Sequence, residues 1–318
     1  MVARLTRHPG AVVALFLLLP LMSCAKPELI CAIDMGSNNF RRIVGTFAGG
    51  RYSQTIETAT LGVGDDVAAN GRISEPKLVE IEKTLARFKS SCDASGSSRV
   101  MAIGTAAFRD APNANVVVAT AARLGIPMEV ASERRESELA YLSGSLGRDG
   151  YAVIDNGSRS IELVARESGV LHYIVFNLGY RVAYEEFFAP ATDAMQAYRD
   201  FEARLKQEAS RAPFMKGKQK LVGVEFGDMT DVLFPRAELE GRILGIDALR
   251  DKLREVTTMG PDAFEALKNK KDIDRALPRL VVAVSMMEAF GYTQLELTER
   301  ELGAGLIIEA GLMAADSS

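Results

Sequence analysis

The chain has 318 residues, of which 47% are hydrophobic and 25% are charged, and its net charge is −4. This composition is typical of a globular protein, and the length favours two domains. The acidic balance argues against a nucleic-acid-binding surface, which needs a clustered basic field, so we expect no nucleic-acid partner. A polyanionic ligand would have to be held by local groups.

Residues 1–24 have the pattern of a bacterial export signal. Arg4 and Arg7 precede an apolar run, AVVALFLLLPLM, which is shorter than a membrane-spanning helix needs. Cys24 follows this run in a position that resembles the lipidation site of bacterial lipoproteins. We predict a signal peptide over 1–24, a lipid anchor on Cys24 and an exported, membrane-anchored protein on the periplasmic or outer face of the envelope. Plain secretion, an uncleaved anchor and a misplaced start are the alternatives.

Two cysteines remain if Cys24 is lipidated. Cys31 lies in an apolar predicted strand, and Cys92 follows a polar helix end. Two cysteines make neither a disulfide framework nor a metal site. We therefore interpret them as one buried thiol and one surface or half-buried thiol. A Cys31–Cys92 disulfide is the alternative outside the cytoplasm.

Residues 28–135 alternate strand and helix patterns. Three strand-like segments come first: LICAIDMG, FRRIVGTFAG and RYSQTIETATLG. An amphipathic helix follows, with Ser74 as its predicted N-cap and Pro76 in its first turn. A strand (SRVMAIG), a helix (NANVVVATAARLG), a short strand (PMEVAS) and a helix (ERRESELAYLSGSL) come next. We expect a first domain over 28–135, completed by a C-terminal helix at about 300–316.

Residues 136–299 are the expected second domain. YAVIDNGSRSIELVARESGVLHYIVFNLG predicts three strands, and DAMQAYRDFEARLKQEAS predicts a helix. QKLVGVEFG predicts a strand that leads into a helix-like DMTDVLF. The remainder is mainly helical, with one further strand at QLELT.

An Asp-x-Gly-Ser turn follows the first strand of each half. Asp34 and Gly36 belong to the first copy, and Asp155 and Gly157 to the second. Glycine at such a turn lets consecutive backbone N–H groups approach an anion, and the aspartate can hold a hydrated divalent cation. A single copy is more simply a hairpin turn. Two copies at matching places favour a pair of turns that clamp a phosphate chain across a cleft.

Five stretches in chain order resemble the Ppx/GppA phosphatases, which include exopolyphosphatases and guanosine pentaphosphate phosphohydrolases. These stretches are AIDMGSNNFRRIV, IGTAAFRDAPNA, ASERRESELAYLSG, VIDNGSRSIELV and FNLGYRVAYEEFF. The C-terminal LPRLVVAVSMMEAFGYTQLELTERELGAGLIIE resembles the closing helix, strand and helix of the family. The resemblance covers about residues 29–315. It implies an α/β fold of duplicated actin-like, ribonuclease H-like domains with an interdomain cleft.

The resemblance also implies water attack on a terminal phosphate, helped by Mg²⁺ or another divalent cation. Glu136 matches the general base, and Glu162 matches the residue that orients water or metal. Asp34 and Asp155 match the aspartates on the metal side. The matching phosphate-binding positions are Gly36, Ser37, Asn38, Arg109, Gly157 and Ser160. The structural alternatives are a solvated helix face for Glu136 and a structural ion pair for Arg109.

Three departures from the family pattern bear on the activity. The family's triple glycine corresponds to 157–159 here, where side chains narrow the space, although Arg159 is itself a candidate bidentate phosphate contact. Arg135 replaces the first glutamate of the Glu-Glu-Ala motif. Glu225 and Asp228 bring negative charge to the third loop, where phosphate donors are expected.

Two functional hypotheses follow. The first is a cation-dependent hydrolase that acts on the phosphoanhydride bonds of polyphosphate or a related compound. The alternative is a catalytically impaired family member that binds a polyanion or a protein partner in the cleft. A sugar or acid kinase is disfavoured because an exported kinase would lack ATP. The expected partners are polyphosphate or a small phosphoanhydride and, through Cys24, a membrane; a second copy of the chain is a further candidate.

Overall fold

The computed structural model describes residues 27–234 and 243–316. The predicted signal segment, with Cys24, lies outside the described residues, so the lipid anchor stays a prediction. Within the two described ranges, no helix combines the length and the apolar character that crossing a membrane requires.

The first half of the chain forms a five-stranded sheet. Its strands are β1 (Ile30–Met35), β2 (Asn39–Ala48), β3 (Arg51–Thr60), β4 (Arg99–Gly104) and β5 (Met128–Val130). The order across the sheet is β3–β2–β1–β4–β5; the first three strands form an antiparallel meander, and β4 and β5 run parallel to β1. Parallel neighbours need crossover connections, and helices supply them here. These helices are α1 (Val63–Asn70), α2 (Glu75–Ala94), α3 (Ala106–Asp110) and α4 (Ala114–Arg123).

The second half repeats this topology. Its strands are β6 (Tyr151–Asn156), β7 (Ile161–Glu167), β8 (Val170–Phe176), β9 (Lys220–Val224), β10 (Ile243–Gly245) and β11 (Gln294–Leu297). The order β8–β7–β6–β9–β11 matches that of the first sheet, with β10 added as an antiparallel edge strand. The duplicated α/β fold is thereby confirmed.

Most of the remaining helices cover the second sheet, and the C-terminal helix packs against the first sheet. They are α5 (Glu133–Ser145), α6 (Tyr180–Ala183), a π-helical turn (Tyr184–Phe188), α7 (Ala194–Ala209), a 3₁₀ turn (Pro213–Met215), α8 (Gly227–Leu233), α9 (Ile246–Thr257), α10 (Pro261–Lys268), α11 (Ile273–Phe290) and α12 (Leu302–Asp316). The largest apolar cluster lies between the second sheet and its helices, and α11 contributes most of its length to that cluster.

Local sequence explains where several helices begin. Ser74 caps α2 through its side chain, as predicted, and Ser132 accepts a hydrogen bond from the backbone of Arg135 at the start of α5. Asp193 accepts from the first turn of α7 in the same way. Such caps satisfy N–H groups that lack a partner inside the helix.

Helices α5 and α12 cross at close range. A Cβ on Gly305 would lie 2.5 Å from the carbonyl oxygen of Leu139, so the crossing requires a glycine there. Arg135 donates from both Nη atoms to the two carboxylate oxygens of Glu309, each at 2.6 Å. Arg135, a departure from the family motif, therefore ties α5 to α12 in a bidentate ion pair.

Cys31 and Cys92 form a disulfide, with Cα atoms 5.8 Å apart. Both residues are fully buried, so the interpretation as separate thiols, with Cys92 at or near the surface, is wrong. The reason is helical spacing. Cys92 lies four residues after Phe88 on the buried face of α2, where it meets β1.

Replacing both cysteines by alanine is expected to lower the free energy of unfolding by about 4 kcal/mol, because the bridge joins residues 61 positions apart. Denaturant unfolding of the full chain in non-reducing buffer measures this loss. Wild-type protein in reducing buffer should lose a similar amount. Peptide mapping that finds free thiols at both positions in oxidised protein would contradict the pairing.

Candidate functional site

A small cavity lies between the two sheets, where the turn after β1 faces the turn after β6. Ten predicted site residues line it: Asp34, Gly36, Ser37, Asn38, Glu136, Asp155, Gly157, Arg159, Ser160 and Glu162. Glu225 of the third loop also lines it, and so do residues that the motif analysis did not place in the site, including Arg41, Thr105 and Tyr180. The duplicated turns thus meet across one cleft.

The first turn is held by the segment that follows β3. The carbonyl of Asn38 accepts two hydrogen bonds of 2.9 Å from N–H groups of residues 61–64, and the carbonyl of Ser37 accepts one of 2.7 Å. Gly36 closes the turn by donating to the carbonyl of Asn39 at 2.9 Å. The carbonyls are therefore bound away from the cavity.

The second turn is held in the same way by the segment that follows β8. The carbonyls of residues 157–159 accept three hydrogen bonds of 3.0–3.1 Å from the N–H groups of residues 179–181. Within the described chain, the N–H groups of Ser37, Asn38, Ser158 and Arg159 make no hydrogen bond. Each turn therefore offers the donors that an anion needs.

Glu136 is buried in the cleft, where it accepts a hydrogen bond of 2.6 Å from Arg109. Burial raises the pKa of this carboxyl, and Arg109 opposes the rise. The same Arg109 nitrogen contacts the carbonyl of Ala131 at 3.0 Å. Arg109 is not among the residues that line the cavity, so it acts on the site through Glu136.

Glu162 lies directly across from Asp155 in the β6–β7 pairing. The Ser160 hydroxyl lies 2.7 Å from Glu162 Oε1 and donates to it, so the hydroxyl is engaged with this carboxylate. Burial raises the pKa of Glu162 well above its usual range, and the negative charge of Glu136 adds to the rise. Glu136 and Glu162 are therefore two buried carboxyls that face one cavity.

The aspartates at the strand ends are the candidate cation ligands. Burial raises the pKa of Asp34 to about 7, against the opposing charge of Arg41. Burial also raises the pKa of Asp155 well above its usual range, and its Oδ1 atom has no hydrogen-bond partner in the described chain. Asp155 therefore has no compensating positive charge beside it, whereas Asp34 is only partly compensated by Arg41.

These oxygen donors fit Mg²⁺ as part of a mixed coordination shell. In residues 27–234 and 243–316, no three His, Cys, Asp or Glu side chains converge as a complete metal site. Mg²⁺ in phosphoryl-transfer enzymes is commonly bound by one or two carboxylates, with water and substrate oxygens in the other positions. Asp34 and Asp155 match that pattern.

Arginines that the motif analysis missed pair with the acidic residues of the third loop. Arg41 Nη1 lies 2.6 Å from Glu225 Oε1, and Arg279 Nη1 lies 2.8 Å from Asp228 Oδ2. The negative charge expected in this loop is present, and two arginines offset it. Two features point to these arginines. Arg41 on β2 is paired with Asp34 on the neighbouring strand β1, and Arg279 is a charged residue within the apolar helix α11.

Arg159 differs from the other arginines near the cavity. Arg41 and Arg109 are paired with carboxylates, whereas the Arg159 side chain makes no ion pair or hydrogen bond with the described residues. Its aliphatic portion crosses toward α1, since a Cβ on Gly64 would lie 3.4 Å from Arg159 Cδ. The guanidinium is thus available to a ligand in the cleft.

Asn156 follows Asp155 on β6 and points to the opposite face of the strand. Its side chain is fully buried, and neither Oδ1 nor Nδ2 has a hydrogen-bond partner among the described residues. A buried polar group without a partner is destabilising by about 1–3 kcal/mol. The site therefore contains a local source of instability beside its second turn.

Substituting Asn156→Leu, which has nearly the same shape, is expected to raise the free energy of unfolding by about 1–2 kcal/mol. Chemical denaturation of the wild type and the variant measures the change. An equal or lower stability would indicate that a bound water or another group satisfies the amide.

Comparisons with known proteins show the fold and the family of the chain. The family model described as the Ppx/GppA phosphatase family matches residues 52–310. The solved structure of a Ppx/GppA family member from Aquifex aeolicus is 21% identical, with a TM-score of 0.76 over 90% of this chain and 98% of that one. An exopolyphosphatase from Cytophaga hutchinsonii is 16% identical, with a TM-score of 0.70 over 89% and 98%. These structures share the fold, and the family model spans most of the sequence, so the chain belongs to the Ppx/GppA phosphatase family.

Proposed function

We propose that the chain is a cation-dependent phosphohydrolase of the exopolyphosphatase type. It would release the terminal phosphate of polyphosphate, or of a related phosphoanhydride, by attack of water. The observation that carries this proposal is the convergence of two anion-holding turns and two buried carboxyls, Glu136 and Glu162, on one cleft.

Substrate binding is assigned to the turn N–H groups and to Arg159. The hydrogen bonds that fix the turn carbonyls keep those N–H groups oriented before the substrate arrives, which lowers the cost of binding. The guanidinium of Arg159, which has no partner among the described residues, can make a bidentate contact with a phosphate group. In the family, the glycines at this turn leave space for the phosphate. Here Arg159 would instead bind the phosphate through its positive charge.

Water activation is assigned to Glu136. A carboxyl whose pKa is raised by burial is better matched to proton transfer near neutral pH than an exposed one. Arg109 fixes its orientation through the 2.6 Å contact. Glu162, held by Ser160, is placed to orient the attacking water.

A divalent cation is part of the proposal, with Asp34 and Asp155 as its protein ligands. When bound, the cation would neutralise charge on the terminal phosphate. The acidic lining of the cleft also favours the binding of a divalent cation. Buried carboxyls beside a polyanion repel it unless a cation lies between them.

The predicted export signal favours polyphosphate as the substrate. An exported protein meets neither the intracellular guanosine pentaphosphate nor the ATP that a kinase would need. The alternative of an impaired family member that binds a polyanion is favoured by one observation: Arg41 and Arg109 are both already paired with carboxylates.

Phosphate release separates the two functions. The full chain, purified in detergent, is incubated with polyphosphate and Mg²⁺, and both free phosphate and remaining chain length are followed. The proposal expects steady release of orthophosphate with gradual shortening of the chains, and loss of release when a chelator is added. Tight polyphosphate binding without release would instead support the binding function.

A further inference from the structure

Glu225 has an unusual backbone conformation at the end of β9. Its φ of 63° lies in the left-handed region, which favours glycine. A side chain in this region is strained and persists where the surrounding contacts compensate, often at functional sites. The contacts of Glu225 are therefore informative.

The Glu225 carboxylate lies between arginines from the two halves of the fold. Its Oε1 is 2.6 Å from Arg41 Nη1 on β2, and its Oε2 is 3.8 Å from Arg279 Nη2 on α11. Burial acts to raise its pKa, but the two arginines lower it below the usual range, so the group is ionised. The Glu225 carboxylate thus occupies the position in which Arg41 and Arg279 could otherwise hold another anion.

Arginine binds carboxylate and phosphate oxygens with the same fork geometry. Arg41 and Glu225 both line the cavity between the anion-holding turns, so a phosphate entering there would compete for the same guanidinium. Each arginine has a second acidic neighbour, since Glu301 lies 3.3 Å from Arg41 and Asp228 lies 2.8 Å from Arg279. Neither arginine depends on Glu225 alone for a partner.

A second groove beside Glu225 can accept its side chain if the side chain is displaced from the arginines. Glu225 also lines a larger open groove, whose other lining residues include Gln54 and Thr230 as well as the acidic Asp231 and Glu299. Turning into this groove would keep the carboxylate near water, so its release from the arginines would not bury an unpaired charge.

We propose that Glu225 determines specificity by standing in for a substrate phosphate oxygen against Arg41, while the buried Arg279 holds the carboxylate from the other side. This assignment rests on the proposed use of the cleft for phosphate. An anion enters fully only if it displaces the internal carboxylate, which favours a multiply charged phosphate chain over orthophosphate. The ion pairs of Glu225 therefore determine how strongly an anion must bind before it can enter the site.

The test compares Glu225→Gln with Glu57→Gln. Glu57 is a matched control because it pairs with Arg42, the neighbour of Arg41 on β2, at 2.9 Å and does not line the cavity. Binding of inorganic tripolyphosphate to the full chain, with Mg²⁺ present, is measured by calorimetry. We expect the Kd of the Glu225 variant to fall about tenfold or more and that of the Glu57 variant to stay within about twofold of wild type.

Unchanged or weaker binding by Glu225→Gln would overturn the proposal, and so would an equal gain in the Glu57 variant, which would indicate a general charge effect. Glu225→Gly suits the local φ and serves as a second variant if the glutamine form does not fold; it should bind more tightly too. Binding is scored without turnover. A chain that releases no phosphate but gains affinity in the variant would refute only the hydrolase function.

Discussion

Glu136→Gln is expected to lower the rate of phosphate release from polyphosphate by about 10²–10⁴-fold, because it removes the proposed proton acceptor for the attacking water. Glutamine retains the carbonyl that can accept from Arg109, so the ion-pair position keeps a hydrogen bond and the fold should persist. Steady-state phosphate release at saturating substrate measures the change. The loss should be in kcat, since the residue is assigned to proton transfer and not to binding.

Glu138→Gln is the matched control for this prediction. Glu138 lies two residues further along α5 and pairs with Arg134 on the surface. Its substitution should leave kcat within about twofold of wild type, because a surface ion pair contributes little. Equal kcat values in the wild type and Glu136→Gln would exclude Glu136 from the mechanism. If the wild type and both variants release no measurable phosphate, the binding function is the one supported.

Gly179→Ala is expected to lower kcat/KM for polyphosphate by about 10- to 100-fold, because small displacements of positioning groups have effects of this size. A Cβ at this position would lie 2.5 Å from backbone atoms of Ser158 and Arg159. These are backbone atoms of the second anion-holding turn, so the turn itself must move. Gly179 also donates to the carbonyl of Arg159 at 3.0 Å, and the same shift would disturb that hydrogen bond.

Gly260→Ala is a suitable control, because an added Cβ at Gly260 meets no atom within 4 Å and its φ is −67°. Its kinetics should match those of the wild type. Circular dichroism and thermal unfolding show whether the Gly179 variant remains folded. A folded Gly179 variant with unchanged kcat/KM would mean that the second turn does not position the substrate.

Much of the site was predictable because its residues lie within short local motifs. Asp34 with Gly36, and Asp155 with Gly157, occupy a strand end and a turn whose spacing is visible along the chain. Two matching strand patterns also predicted a duplication, and the structure shows that the two sheets share one strand order. The burial of Cys92 also follows from helical spacing, because it lies four residues after the buried Phe88.

The sequence alone determined the duplication and the two Asp-x-Gly-Ser turns, since periodicity and turn chemistry act over a few residues. The fold class and the roles of Glu136 and Glu162 came from the resemblance to the family. Only the tertiary structure decided how the charges pair. Arg41 and Glu225 are 184 positions apart and come from different halves, so no local pattern relates them. Their pairing depends on how the two sheets pack together, and that packing converts an apparently repulsive acidic loop into the partner of the arginines in the cleft.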